Sequence, residues 1–479
     1  MLLRPYQSAA IDGLRAELRR GARRVLLTCP TGGGKTVVAA EIIRAAVAKG
    51  SRVLFLAHRR ELIHQTCDKL RHFGVPHGII MAGEPEALQQ PVQVASVQSL
   101  ARRTDRLPPA DLLFFDEAHH AAAGSYTDVL SWYSRALVVG LTATPWRLDG
   151  KGLADVFDGH VLARTPRELR DEGYLAPVGG WEYEAIDTEG ARVKGGDFVA
   201  ADLSKATTRR VIGDVVEEWK RHAGSKRTVV FAVSIAASQQ LRDAFLAAGV
   251  AAEHVDGEQP TVERDAVVAR LREGRTLVVC NCNVLAEGFD CPELEVCVLA
   301  RPTLSTALYL QMVGRVLRPA EGKERARIHD HAGCLKAHGH PYAARDYSPA
   351  TAANVERSAV EKAKGPPARC PACKSVHSGR WPCDACGYHP TPADLQVQVV
   401  EAARAKAILD SAEWQAARAT QAKRDGLAAR FRVLSEGERY DFWLRMVAKH
   451  GPRRAIGVYR WWSGETAWPD RAWRSEGAA

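Results

Sequence analysis

Long apolar runs are missing from this sequence. No stretch of its 479 residues could cross a bilayer, which takes about 20 consecutive apolar residues in a helix, so neither a membrane-spanning helix nor a membrane partner is expected. The opening Met1-Leu-Leu-Arg-Pro-Tyr-Gln7 also lacks the apolar core of a secretion signal, and the expectation is a cytoplasmic protein. Disulfide spacing is scarce as well. There are eleven cysteines, but most stand singly in apolar runs, as Cys280, Cys282 and Cys297 do, which reads as reduced, buried thiols. No repeat of the solenoid kind is visible.

What is there is a globular composition, 46% hydrophobic and 25% charged, in a chain too long for one ordinary domain. The net charge of +10 is uneven. Residues 1–165 carry 21 Lys and Arg against 15 Asp and Glu, residues 166–345 carry 24 against 26, and the excess returns after residue 345. Such a distribution suits a polyanionic partner.

Two stretches alternate short β-branched runs with helical patterns, the mark of parallel α/β sheets with both faces covered. The first predicts strands at Val25–Cys29, Val53–Ala57, Val92–Ser96, Leu112–Asp116 and Leu137–Thr142. The second predicts them at Thr228–Val233, Glu253–Val255, Thr276–Cys280, Val296–Ala300 and Arg327–His331. The pattern loosens over 166–200, with Gly179–Gly180 and Gly195–Gly196, and the domain junction is placed there. The division is 1–165, 166–345, a linker over 346–368, a cysteine module over 369–390 and a helical tail over 391–479.

Pro30-Thr31-Gly32-Gly33-Gly34-Lys35-Thr36 follows a strand and opens a helix. Glycines there let backbone amides close around phosphates, and the helix N-terminus favours negative charge. Lys35 would neutralise the outer phosphates of ATP and the Thr36 hydroxyl would ligate Mg2+. Cys29 stands where the general phosphate-loop pattern has its first glycine. Asp116-Glu117-Ala-His119 ends the apolar strand that begins at Leu112. A carboxylate at that edge can hold Mg2+, which assigns Asp116, and its neighbour can activate water, which assigns Glu117.

The phosphate loop, the Asp116–His119 box, Leu141-Thr-Ala-Thr-Pro145 and Gln311-Met-Val-Gly-Arg-Val-Leu-Arg318 resemble, in order and spacing, motifs I, II, III and VI of the superfamily 2 helicases. Arg4-Pro-Tyr-Gln7 resembles the adenine-reading glutamine motif. Ala57-His-Arg-Arg-Glu-Leu62 and Ser96-Val-Gln-Ser99 resemble motifs Ia and Ib, Val229–Phe231 motif IV, and Glu287-Gly-Phe-Asp290 motif V. The resemblance covers about residues 1–335 and implies two RecA-like domains with ATP between them. It implies Arg315 and Arg318 as fingers on the γ-phosphate, Gly288 and Asp290 beside the nucleotide, and His119, Thr142, Thr144 and Gln311 as coupling groups. It also implies His58, Arg59, Ser96 and Gln98 as contacts to a nucleic-acid backbone. The whole layout is similar to that of the bacterial RadD-like DNA-repair helicases.

Cys370-Pro-Ala-Cys373 and Cys383-Asp-Ala-Cys386 form two Cys-x-x-Cys knuckles, enough for one structural Zn2+ with four thiolates. Beyond them, six of the eleven tryptophans follow residue 400, interleaved with arginines. They could stack on bases, though the core of a small helical domain is the favoured reading. The function expected is an ATP-driven helicase or translocase on DNA in repair or recombination. An RNA helicase or a restriction-type motor is the alternative, the latter weakened because the tail holds no Pro-Asp…(Asp/Glu)-x-Lys nuclease pattern. A zinc-bearing scaffold with a degenerate motor is the reading from another class.

Overall fold

The computed structural model describes residues 3–349, apart from 122–123, 148, 184–185, 187 and 207–208, together with 368–369, 376–377 and 388. The cysteine knuckles and the tryptophan-rich tail lie outside the described residues, as does most of the expected linker.

The first domain is built on a seven-stranded sheet. Its strands are β1 (Arg24–Thr28), β2 (Val53–Ala57), β3 (His77–Ile80), β4 (Val92–Ser96), β5 (Leu112–Phe115), β6 (Leu137–Thr142) and β7 (Gly159–Leu162). They lie in the order β3-β4-β2-β5-β6-β1-β7, every pair parallel. β2 and β5 are buried at every residue, because helices cover both faces and leave no side of the strand in water. The order matters for function. β5, β6 and β1 are neighbours, so the Asp116–Glu117 pair, Thr142 and the phosphate loop leave the same edge of the sheet side by side. A parallel sheet binds its ligand at that carboxyl edge.

The second domain uses β8 (Val178–Glu182), β11 (Thr228–Ala232), β12 (Ala252–Val255), β13 (Val278–Asn281), β14 (Val296–Ala300) and β15 (Ala326–Asp330), with a small β9–β10 hairpin (Val193–Lys194, Asp197–Phe198) outside the sheet. The order is β12-β13-β11-β14-β15-β8, all parallel. Two short antiparallel strands, β16 (Ala368–Arg369) and β17 (Val376–His377), extend the sheet through a pairing of Val376 with Gly180. Two readings need correction. The Gly179–Gly180 pair, expected to mark a loose junction, lies inside β8, in parallel register with Arg327 and Ile328 of β15. The start of the expected linker is packed: the Tyr347 ring lies tilted 5.6 Å from Trp146, and the Pro349 carbonyl accepts from the Leu153 and Ala154 amides.

On one face of the β8–β15 pair, Trp181 and Tyr183 meet His329 and His331, with Tyr183 stacked 4.4 Å from His331. Both histidines are buried, and burial pushes each down to about 3, the neighbouring His222 and Arg327 adding to the effect at His329. A histidine in the unfolded chain takes up its proton near pH 6.5. Between that value and about 3 the unfolded chain therefore binds more protons. The stability these residues confer is complete above pH 6.5 and is lost as pH falls toward 3. The fall in Tm between about pH 7.5 and pH 5 is expected to be smaller in His329→Phe than in the wild type, by linkage. Equal falls would contradict the assignment.

Candidate active site

The phosphate loop runs from the end of β1 into helix α2 (Lys35–Val47). Gly34 caps that helix at φ +83°, a left-handed conformation that favours glycine, and a Cβ there would lie 2.6 Å from Gln7 Nε2. Behind the loop, a Cβ on Gly33 would lie 2.5 Å from Cys29 Sγ. Cys29 thus fills the space under the loop, and burial pushes its thiol up to about 12, so it is inert packing. The loop is a cradle that only glycines leave open, which fits triphosphate.

Helix α1 (Pro5–Arg19) clamps the loop from outside. The Tyr6 hydroxyl donates to the Gly33 carbonyl at 2.7 Å and Gln7 Nε2 donates to it at 3.2 Å, while Gln7 Oε1 accepts from the Arg4 amide at 3.0 Å. Gln7 is buried and joins α1 to the loop. Arg4 lies over the Tyr174 ring, 4.5 Å from its centroid. The coupling motif is attached to the same strand: the Cys29 amide donates to the Thr142 carbonyl, and the Thr142 hydroxyl donates to the Thr144 carbonyl at 2.7 Å.

Lys35 Nζ stands 3.2 Å from Glu117 Oε1, so the two groups neutralise each other. Burial pushes Glu117 up, but the Lys35 ammonium and His119 outweigh it and hold this carboxyl well below the usual range. Burial and the Glu117 charge push Asp116 the other way, upward. Two adjacent carboxyls with opposite environments suit two roles. The ionised one can take a proton from water, and the other could hold a cation such as Mg2+. Glu117 also holds φ +49°, one of two non-glycine residues with positive φ among the described residues. Backbone strain of this kind concentrates at functional sites.

The second domain closes over this edge. The helix Thr306–Gly314 brings Gly314 so near the loop that a Cβ on it would lie 2.6 Å from Thr31 Cβ. Arg318 follows, and a Cβ on Gly32 would lie 3.2 Å from its Cγ. Its guanidinium pairs with Asp290, and burial pushes it down to about 10. Arg315 is buried and donates from Nη1 to the Phe289 carbonyl at 2.7 Å. Arg318 therefore packs against the phosphate loop, with Asp290 paired to it. The Gly288 carbonyl accepts from Gln65 Nε2 at 2.5 Å, and a Cβ on Gly288 would meet Glu61, so it packs on helix α3 (Arg60–His72).

The residue the sequence reading passed over is Glu287. It is buried, and its carboxylate faces four side chains of the first domain. His58 Nε2 is 2.9 Å away, Arg59 Nε 3.1 Å, His119 Nε2 3.4 Å and His120 Nε2 3.7 Å. Burial pushes Glu287 up, yet the histidines bring it well below the carboxylate range. His119 lies between Glu287 and Glu117, with Nδ1 3.4 Å from Glu117 Oε2, and the two carboxylates raise it to about 9 against its burial. Gln311 Nε2 also approaches His119, at 3.4 Å. Arg59 is further held by the Val284 carbonyl at 3.1 Å. Ser96 accepts from the Ser99 amide as a helix cap, and its hydroxyl donates to Gln98, which is exposed. Glu287 was visible as the first residue of the motif V stretch, but its partners lie more than 160 positions away in sequence, and no spacing rule connects them.

Residues 1–147 match the family model described as "Type III restriction enzyme, res subunit", and residues 209–320 match "Helicase conserved C-terminal domain". A 51.5 kDa protein of a Lactococcus phage is 34% identical over 76% of this chain and 77% of its own length. A Saccharomyces cerevisiae protein named as an ATP-dependent helicase, IRC3, is 32% identical over 69% of this chain, which spans 52% of that protein. Among solved structures, a fragment assigned as an HsdR subunit of a type I restriction enzyme from Vibrio vulnificus shares the fold, with a TM-score of 0.57, 23% identity, and coverage of 72% of this chain and 66% of the fragment.

Proposed function

The chain belongs to superfamily 2 of the helicases and is an ATP-dependent helicase or translocase, an ATP hydrolase, and from that premise we propose that it is a cytoplasmic DNA motor of the RadD-like repair type. One observation carries the reading. Glu287 ties the strand-gripping candidates His58 and Arg59 to His119 and so to the base Glu117. A strand that engages Arg59 must change the charge around that carboxylate, and the change reaches the residue that activates water.

ATP supplies the reacting phosphoryl group, and Mg2+ held by Thr36 and Asp116 would neutralise its charge. The protein's part is placement. Thr31, Gly32, Gly33 and Gly34 cradle the phosphates, Lys35 leaves Glu117 for them, and Arg315 and Arg318 approach from the other domain. Closing on ATP and opening after hydrolysis would move the two domains along a strand in turn. DNA is favoured over RNA by the restriction-enzyme description of its family model, whereas the basic first domain suits either polyanion. That description also keeps a restriction-type motor as the second reading. A non-catalytic scaffold does not suit a chain in which Lys35, Asp116, Glu117, Arg315 and Arg318 are all present. The experiment is displacement of streptavidin from end-biotinylated single strands. ATP-dependent displacement from DNA and none from RNA is expected; the reverse would overturn the choice of substrate.

The four cysteines Cys370, Cys373, Cys383 and Cys386 complete the proposal as one structural Zn2+ site. Purified full-length protein is expected to carry one Zn2+ per chain, and Cys373→Ser or Cys386→Ser to lose it while ATP binding persists. Elemental analysis that finds no zinc in protein prepared without chelator would contradict this.

A further inference from the structure

We infer that His58, His120 and Glu287 form a binding site for a first-row divalent transition ion of the Zn2+ class, at the seam between the two motor domains, and that the bound ion holds the cleft shut. The three ligand atoms lie within 4.8 Å of one another. Glu287 Oε2 is 2.9 Å from His58 Nε2, and its other oxygen, Oε1, is 3.7 Å from His120 Nε2. Neighbouring ligand atoms of a tetrahedral ion bound at about 2.0–2.1 Å are separated by about 3.3 Å, so each histidine faces one carboxylate oxygen near that spacing, and small side-chain shifts would complete the set. The imidazoles stand at 62° with ring centroids 4.5 Å apart, so two lone pairs can converge on one point without stacking. His120 Nε2 is buried and faces the Glu287 carboxylate at 3.7 Å, beyond full hydrogen-bond distance. A buried ring nitrogen so loosely met gains from a tighter partner.

The donor set selects the ion. Two imidazoles and one carboxylate suit Zn2+, Co2+ or Ni2+, whereas Mg2+ takes oxygen ligands and keeps its waters. The Mg2+ that accompanies ATP is therefore a poor competitor. The site also has a built-in rival: Arg59 Nε lies 3.1 Å from the same Glu287 oxygen and 3.3 Å from His58 Nε2. An ion must displace that guanidinium, which can stay anchored on the Val284 carbonyl through Nη1. The site consequently fills on added metal rather than during purification, which separates it from a thiolate site.

The mechanical result follows from where the ligands come from. His58 follows β2 and His120 follows the Asp116–His119 box, both in the first domain, while Glu287 belongs to the second. One ion would bridge the two, and it would draw Glu287 away from His119. Opening after hydrolysis would then require the ion to give up either Glu287 or both histidines.

The test uses full-length protein and Zn2+ alone as the probe. Equilibrium dialysis is expected to show one equivalent more in the wild type than in His120→Asn or Glu287→Gln. Added Co2+ should give visible bands without thiolate charge transfer, and these should be lost in both variants. His120 is partly exposed, so its replacement leaves the sheet cores untouched, and equal Tm values in metal-free buffer check this. The wild-type Tm should rise with Zn2+ and that of His120→Asn should not. In Mg2+-containing buffer, micromolar Zn2+ should slow wild-type ATP turnover several-fold, reversibly with a zinc-selective chelator. Equal zinc equivalents in the wild type and both variants would overturn the site. An extra equivalent that leaves turnover unchanged would overturn the clamp.

Discussion

Glu117→Gln is expected to lower ATP turnover by roughly 10²–10⁴-fold, the span typical of a lost general base, while ATP still binds. The glutamine keeps the shape of the carboxylate but cannot accept a proton. Binding should not suffer, because the carboxylate that now holds Lys35 at 3.2 Å would be gone and the ammonium would be free for phosphate. The apparent affinity for ATP is therefore unchanged or tighter. Lys35→Ala is the contrasting variant, since it loses both turnover and binding. Single-turnover hydrolysis with a separate nucleotide-binding measurement distinguishes the two. A Glu117→Gln protein that turns over at the wild-type rate would show that another group activates the water.

Arg318→Ala should have an effect as large or larger. An arginine that reaches the γ-phosphate from a second domain is worth roughly 10³–10⁵ in turnover. Arg318 lies against Gly32 of the loop, and Gly314, one turn earlier, touches Thr31. Its present partner is Asp290, an exposed carboxylate that can release it when phosphate arrives. The loss should fall on kcat rather than on nucleotide affinity, because the contact strengthens as charge develops in transfer. Arg318→Lys should not restore the rate, since a single ammonium cannot reproduce the planar fork. Arg315→Ala tests the companion finger. Arg318→Ala with wild-type kcat would remove it from the chemistry.

The central strands were legible because burial on both faces leaves a continuous apolar run, as in Val53–Ala57 and Val296–Ala300. The edge strands β3 and β7 were not. His77-Gly-Ile-Ile80 and Gly159-His-Val-Leu162 are short, carry glycine and histidine, and face water on one side. β8 was misplaced for a similar reason, since two glycines in five residues suggest a turn until β15 is seen beside it. Within the site, the phosphate loop and the Asp116–Glu117 pair could be read because each is a local pattern at a strand end. Glu287 could not, because its meaning lies in residues 58, 59, 119 and 120, brought to it only when the two sheets face each other.

The central claim is that strand binding and ATP hydrolysis share the cleft through Glu287. The most direct measurement is the steady-state ATPase rate of the full-length protein as single-stranded DNA is titrated, for the wild type and for Glu287→Gln. The account predicts strong stimulation in the wild type and little or none in Glu287→Gln at saturating DNA, with DNA still bound by both. Equal stimulation of the two proteins, or a wild-type rate indifferent to DNA, would contradict it.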